Sequence, residues 1–400
     1  MATACFVRFA NAGLTVLLGY HLYALTHDPL SLGWLGLVEA GPAISLVLFG
    51  GVVADRFSRQ RVALVGRMVF MALCLMLAAT SQVGGRTAEL GIYIVGFLIG
   101  CANAFITPAN QGLEADELPD GDTMRGASLL SSLGQAAMLS GPVVSSILFD
   151  VGGASTTYFC LAVMFGLSGL TLARYVVPRP PLGIRRGDSI AARIGEGLRF
   201  AFSEQVLLGS MALDLFAVFF GGATALLPVF ASDILHVGPT GFGILRSAMS
   251  VGSLLAMLIA VRHPPQARAG LVFHGAVACF GVAIIIFALS HNFVISFLAL
   301  MVAGMCDGTS VVIRRAILRL AAPGEMRGRI AAVRMVFINS SNELGDFESG
   351  MLAGAIGAVP AVWVGGLITL AVVGLTAWRA PKLLGLNMAD LEAQEAARRS

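Results

Sequence analysis

Three acidic residues, Asp214, Asp307 and Glu343, lie inside long apolar segments of this 400-residue chain. An ionisable side chain in such a segment is energetically expensive and is a functional candidate for that reason. A carboxylate can couple proton binding to another process if it is buried and yet alternately reachable from both sides. By their depth in the apolar segments, all three are candidates for proton coupling. A structural role is the alternative for Asp307, because Arg314 lies two helical turns away on the same face.

Polar and aromatic residues in the apolar segments could also line a cavity for a solute. The candidates are Asn11, His21, Asn103, Phe216, Phe220, Asn339, Asn342 and Asp346. Amides in such segments more often form hydrogen bonds between helices than bind a ligand. A stripe of Phe and Met side chains is likewise more often simple packing. We therefore predict that these residues line a cavity, and the alternative is that they only hold the helices together.

The elements that must position these residues are predicted to be transmembrane helices. Apolar residues make up 57% of the chain and charged residues 12%, against roughly 25% charged in soluble proteins. A helix needs roughly 20 apolar residues to cross a membrane, and the apolar runs provide for about twelve such helices. The runs at 206–230 and 294–313 predict the helices that carry Asp214 and Asp307. The first run contains Arg8 and lacks a cleavage site, so we interpret it as a span and not as a signal peptide.

The arginines lie in alternate loops of this layout. They cluster after the second, fourth, sixth, eighth and tenth predicted spans, and Arg314 is assigned to the loop that follows residue 313. The opposite loops contain one basic residue, Arg86. Loops rich in arginine stay in the cytoplasm. We therefore predict a multi-pass protein of the inner (cytoplasmic) membrane with both termini in the cytoplasm.

A repeat at half the chain length divides the spans into two sets of six. Met124-Arg125-Gly126 recurs as Met326-Arg327-Gly328, and the segment that ends in Glu39 aligns with the one that ends in Arg246. Parallel halves are typical of transporters whose site lies between the repeats at mid-membrane. The symmetry would place Glu39 and Arg246 near the outer mouth, where they could form a gate pair.

The domain boundaries follow from the same layout. We predict an N-terminal six-helix bundle at 1–177, a cytoplasmic linker with an amphipathic helix at 178–204, a C-terminal six-helix bundle at 205–378 and a cytoplasmic tail at 379–400. The linker helix is indicated by apolar residues that recur every four positions, with charged residues between them.

The segment Gly51–Arg61 between the second and third predicted spans carries a recognisable motif. Gly51 permits close helix approach, and Asp55 with its neighbouring arginines could hold a short cytoplasmic turn through ion pairs. The segment resembles the signature loop of the major facilitator superfamily at Gly51, Asp55, Arg56 and Arg59, whereas Gln60 departs from it and Arg61 follows. The resemblance implies an all-α integral membrane fold of twelve transmembrane helices in two pseudo-symmetric six-helix bundles. It also implies that this loop locks the cytoplasmic side when the carrier is open outward.

Three further segments, 223–231, 241–246 and 326–330, are similar to the branch of the family that holds the enterobactin exporter and the macrolide efflux pumps. This resemblance implies a proton-coupled exporter of a siderophore-like or amphiphilic drug-like molecule, working by alternating access. Drug–proton antiporters of the family often carry a Gly-Pro-x-x-Gly-Gly element in the fifth span. Here Gly141 and Pro142 match it and Gly134 precedes it, as hinge or packing positions, but two serines replace the final glycines. The antiporter interpretation is therefore supported only in part.

Several classes of function are disfavoured by what the sequence lacks. The only lysine is Lys382, so there is no Walker loop, and no zinc-protease motif is present. We expect a protein that is not an enzyme, with no metal and no cofactor, driven by the proton gradient. Its expected partners are the lipid bilayer and a small-molecule substrate, with no nucleic acid, and we expect a functional monomer. Two alternatives remain open: an importer of a small polar nutrient, which would need more fixed charge, and a non-transporting sensor or scaffold, which would need a soluble output domain.

Overall fold

The computed structural model describes residues 2–116, 123–175, 199, 202, 204–321 and 327–399. Within these ranges, some side chains lie outside the described part, namely those of 2, 47–56, 111, 112, 114–116, 123–131, 175, 218, 321, 327–340, 343 and 394–399. The predicted amphipathic helix of the linker lies outside the described residues.

The described residues form helices and contain no strand. The long helices are α1 (Ala2–Thr26), α2 (Pro29–Arg56), α3 (Arg59–Val83), α4 (Gly85–Asp116), α5 (Thr123–Tyr175), α6 (Gln205–Phe220), α7 (Gly238–Arg262), α8 (Ala269–Leu289), α9 (Phe293–Ala321), α10 (Arg327–Ile356), α11 (Ala358–Arg379) and α12 (Met388–Arg399). Short helical turns lie at Leu227–Val229 and Pro381–Leu384, and a π-helical turn lies at Phe230–Ile234.

Eight of the described helices are long and apolar enough to cross a membrane. This confirms the prediction of an all-α, multi-pass membrane protein. The helix α5 is interrupted at Gly153, whose φ of 74° lies in the left-handed region that favours glycine. Gly153 falls between the fifth and sixth predicted spans, at 126–148 and 156–177, so the interruption provides the turn between them. The total of twelve spans stays a prediction.

The first compact unit comprises Met1–Arg186 and Leu227–Ser247. In it α1 and α3 pack against α5, and α2 and α3 pack against α4. Small residues allow the close approach of α1 and α5. A Cβ atom at Gly13 would overlap Ser145 Oγ, and one at Gly141 would lie 2.7 Å from the carbonyl oxygen of Phe9.

The second compact unit comprises Gly187–Leu226 and Ala248–Ser400. Here α8 packs against α9 and α11, while α6 packs against α10 and α11. Part of the predicted C-terminal tail belongs to this core, because Leu383 and Met388 are buried in it. The backbone N–H of Met388 donates to the carbonyl of Gln266 at 3.1 Å, which fastens the start of α12 to the loop before α8.

Two helices differ from the predicted spans. The predicted span 206–230 is not continuous, since α6 ends at Phe220 and Gly221 and Gly222 follow. Glycine is a weak helix former, and a Cβ atom at Gly222 would overlap Ser349 Oγ. The predicted span 294–313 instead continues to Ala321 as α9.

Candidate transport site

Buried charges join α6 and α9 in the second unit. Asp214 of α6 forms a salt bridge with Arg314 of α9, and both side chains are buried. Arg314 Nη2 lies 3.7 Å from Asp307 Oδ1, and the Asp307 side chain is 42% exposed. The guanidinium also donates through Nε to Ser310 Oγ at 3.1 Å. We call Asp214, Asp307 and Arg314 the charge cluster.

The position of Arg314 in the charge cluster differs from the predicted one. We predicted this arginine in a cytoplasmic loop, but it lies inside α9, about two turns before the helix ends at Ala321. Because the apolar run ends at residue 313, the sequence pattern suggests a loop there, whereas the ion pair with Asp214 allows the helix to bury a charge. The proximity that we predicted for Asp307 and Arg314 is observed, while the pairing with Asp214 was not predicted.

A polar cavity lies within the first unit. It has a volume of about 230 Å³ and is bounded by the beginning of α1, the first half of α3 and the last turns of α4. Its polar lining is Arg8, Asn11, Arg67, Asn103, Thr107 and Asn110, together with Thr3. We call it the arginine cavity. Its apolar wall includes Val7, Ile106 and Leu113, so the chamber is suited to a solute with polar and apolar parts.

The helix packing of the first unit holds the two arginines in place. Gly134 of α5 lies against Arg8 so closely that a Cβ atom there would overlap Arg8 Nη1. Arg67 is 3% exposed, and the next turn of its helix presents Phe70, which stacks on Phe165 with ring centroids 5.1 Å apart. Both guanidiniums therefore occupy restricted positions.

The other predicted cavity residues are distributed over both units. Asn11 and Asn103 line the arginine cavity. His21 is not among the residues that line this cavity. It is buried, and its Nδ1 lies 3.2 Å from the hydroxyl of Tyr158. In the second unit, the rings of Phe216 and Phe220 stack with centroids 6.4 Å apart, and Phe216 is exposed.

The remaining candidates on α10 are less fully described. Asn342 is exposed and Asp346 is half-buried. The side chains of Asn339 and of the proton-coupling candidate Glu343 lie outside the described part. The roles predicted for all four stay predictions.

The signature loop is a very short turn. The helix α2 ends at Arg56 and α3 begins at Arg59. Arg59 is half-buried and engaged in an interaction, while Arg61 is exposed. The side chains of Asp55 and Arg56 lie outside the described part, so the ion pairs predicted for the loop, and the close helix approach predicted at Gly51, stay predictions.

The two predicted gate residues are both half-buried and engaged in interactions. Glu39 packs against α4, where a Cβ atom at Gly96 would lie 3.5 Å from Glu39 Oε1. Arg246 lies one turn beyond Gly243, which approaches Pro142 of α5 with a Cβ position 2.9 Å from its carbonyl oxygen. The pairing of Glu39 with Arg246 stays a prediction.

A second set of contacts was not predicted and joins α1 to the segment Leu227–Ser247 within the first unit. The hydroxyl of Tyr23 donates to Asp233 Oδ2 at 2.5 Å. The ring of Tyr20 stacks on Phe242 with centroids 5.0 Å apart. These contacts place the π-helical turn and the start of α7 against the C-terminal end of α1.

The apolar helices, with buried charges inside them, are those of a multi-pass membrane protein. The chain belongs to the major facilitator superfamily, since the sequence model of the Major Facilitator Superfamily matches residues 1–345. This membership confirms the predicted family and fold class. It also confirms the prediction of a transporter and not an enzyme, which removes the support for a sensor or scaffold.

Two relatives belong to the kinds of exporter that the sequence segments resemble. The multidrug efflux pump Tap of Mycobacterium tuberculosis (strain ATCC 25618 / H37Rv) is 25% identical over 362 residues, covering 87% of this chain and 84% of that protein. The enterobactin exporter EntS of Shigella dysenteriae serotype 1 is 23% identical over 368 residues, covering 89% and 84%.

Solved structures of transporters have the same fold. A mutant of the nucleoside transporter NupG superposes with a TM-score of 0.75 at 15% identity, covering 96% of this chain and 98% of that one. A bacterial homologue of the human lysosomal transporter Spinster, in an inward-facing and unoccupied conformation, gives a TM-score of 0.70 at 13% identity, covering 98% and 96%.

Proposed function

We propose that this protein is a proton-coupled exporter of a siderophore-like or amphiphilic drug-like molecule, working by alternating access in the cytoplasmic membrane. Both termini lie in the cytoplasm, no cofactor takes part, and the protein acts as a monomer in the lipid bilayer. The direction of transport is supported by the two relatives, one a multidrug efflux pump and the other an enterobactin exporter. The coupling is supported by the charge cluster, which is the observation that carries the proposal.

The charge cluster contains two carboxylates and one guanidinium. Asp214 is buried in its salt bridge with Arg314, and removing one partner from a buried ion pair typically costs about 3–5 kcal/mol. Asp307 is farther from Arg314, at 3.7 Å, and has an exposed side chain. Asp307 is therefore the better placed of the two to exchange a proton with water. The Asp214–Arg314 pair is neutral in itself, so protonation of Asp307 removes the remaining negative charge of the cluster, which favours its movement through an apolar environment.

The test separates coupling from substrate binding. Purified protein is reconstituted in proteoliposomes, and radiolabelled enterobactin and erythromycin are used as cargo. We expect Asp307→Asn to lose accumulation driven by a pH gradient by at least tenfold, while it retains exchange of labelled for unlabelled cargo without a gradient. Asp390→Asn, an exposed carboxylate on α12, is the matched control and keeps both activities. Gradient-driven accumulation at the wild-type rate in Asp307→Asn would contradict the assignment.

Import is the second candidate, because the arginine cavity provides the fixed positive charge that a carrier of polar anions needs. The two directions predict opposite results in membrane vesicles of defined orientation. An exporter accumulates cargo in everted vesicles with an acidic lumen, whereas a proton-driven importer accumulates it in right-side-out vesicles.

A further inference from the structure

We propose that the arginine cavity binds the acidic group of an amphiphilic organic anion, with Arg8 and Arg67 as the residues that select for negative charge. The identification of this anion as exported cargo depends on the proposed function, but the binding itself does not.

The charge of the lining favours an anion. Among the described residues, the cavity has two arginines and three asparagines in its lining, and no carboxylate. Two arginines line this one chamber, and the positive charge that they bring to it favours a bound negative charge. Arg8 and Arg67 both engage other groups of the protein. Each guanidinium has five N–H donors in a planar fork, so it can hold an internal partner and a solute oxygen at once.

The size of the cavity limits what enters it. At about 230 Å³ it is smaller than the roughly 300–1,000 Å³ of pockets that enclose a drug-sized ligand. It therefore accommodates the acidic head of such a solute and not the whole molecule. The apolar wall of Val7, Ile106 and Leu113 suits the carbon skeleton that carries the acid.

The position of the cavity agrees with loading from one side of the membrane. Arg8 lies about 9 Å from the start of α1, Asn110 about 9 Å from the end of α4, and Arg67 about 12 Å from the start of α3, at 1.5 Å per residue. The start of α3 directly follows the signature loop. The start of α1, the start of α3 and the end of α4 lie at the same end of the first unit, because successive spans run in opposite directions. This end carries the signature loop and is the predicted cytoplasmic end.

A pair of probes that differ only in charge tests the proposal. Fusidate, an amphiphilic carboxylate, and its methyl ester are titrated against the full-length protein in a neutral detergent, without a pH gradient. We expect the wild-type protein to bind the acid at least tenfold more tightly than the ester, the effect of about one charge-assisted hydrogen bond. Arg8→Gln and Arg67→Gln each reduce this preference to about twofold or less.

Three further variants keep the result interpretable. Arg86→Gln removes an exposed arginine of the same unit and keeps the preference. Arg67→Lys retains the positive charge and restores most of the preference, even if Arg67→Gln folds poorly. Asp307→Asn also keeps the preference, so failure of proton coupling is distinguished from failure of anion binding. Equal affinity for acid and ester in the wild-type protein, no saturable binding of the acid, or an unchanged preference in both Arg→Gln variants would overturn the proposal.

Discussion

At the scale of single residues, Arg314 is the centre of the charge cluster in the second unit. Its guanidinium contacts Asp214, Asp307 and Ser310, so one cation holds two helices and two carboxylates together. A buried ion pair contributes little net stability compared with apolar packing, but a buried charge without its partner is strongly destabilising. Asp214 and Asp307 therefore differ in their surroundings: Asp214 is buried against Arg314, whereas 42% of the Asp307 side chain is exposed.

Asp214→Asn is expected to destabilise the protein by about 3–5 kcal/mol, because it leaves Arg314 buried without its closest counter-charge. The double variant Asp214→Asn/Arg314→Met removes both charges and is expected to recover most of that stability. Chemical denaturation in detergent provides the measurement, with Asp390→Asn as the control that shows no change. Equal stability of Asp214→Asn and the wild-type protein would show that the salt bridge does not hold α6 to α9.

Depth in an apolar segment singles out Asp214 and Asp307 from the sequence alone, because it can be judged one residue at a time. Their common partner could not be predicted in the same way, because α6 and α9 are far apart in sequence. Arg314 was assigned to a loop on account of its position after the apolar run. Arg67 was overlooked for a related reason: it follows an arginine-rich loop, although its own neighbours are apolar. An arginine inside an apolar run is as informative as a carboxylate there, and that signal was present in the sequence.

At the scale of elements, the contacts of α1 organise the first unit. Gly141 allows α5 to approach the backbone of α1, while Gly13 and Gly134 leave room for the side chains of Ser145 and Arg8. The C-terminal end of α1 meets the π-helical turn through Tyr23 and Asp233. The sequence pattern indicated close packing at Gly134 and Gly141. It did not indicate the interruption after Phe220, because the apolar run continues through Gly221 and Gly222 and hides the end of α6.

Gly141→Ala is expected to destabilise the protein by about 1–3 kcal/mol, because its Cβ atom would lie 2.7 Å from the carbonyl oxygen of Phe9. Gly41→Ala is the matched control: Gly41 is also helical, and a Cβ atom there would have no neighbour within 4 Å. Thermal unfolding in detergent compares the two. A loss of stability in Gly41→Ala as large as in Gly141→Ala would argue against packing as the cause.

The hydrogen bond from Tyr23 to Asp233 is expected to couple the two residues energetically. Hydrogen bonds to charged groups contribute about 1.5–3 kcal/mol, so a double-mutant cycle of Tyr23→Phe and Asp233→Ala, each of which removes the bond, is expected to show a coupling energy of that order. Unfolding of the four proteins supplies the measurement. Strictly additive effects would mean that the contact between α1 and the π-helical turn is not stabilised by this bond.

At the scale of the whole molecule, the predicted topology puts the arginine cavity at the cytoplasmic side of the membrane. The loop between α7 and α8 follows Arg262 and contains Arg268, whereas the loop between α8 and α9 at 290–292 has no arginine. We expect alkaline phosphatase fused after Pro265 to be inactive and the same enzyme fused after His291 to be active, because it requires export to fold. The reverse pattern would invert the topology and with it the direction of loading.

The central claim is that a proton gradient drives export, and everted membrane vesicles test it most directly. Vesicles with an acidic lumen are incubated with radiolabelled enterobactin or erythromycin, with and without the proton–potassium exchanger nigericin. We expect the wild-type protein to accumulate at least one of the two cargoes, and we expect nigericin and Asp307→Asn each to abolish the accumulation. Accumulation that persists after the gradient is collapsed, or that occurs only in right-side-out vesicles, would contradict it.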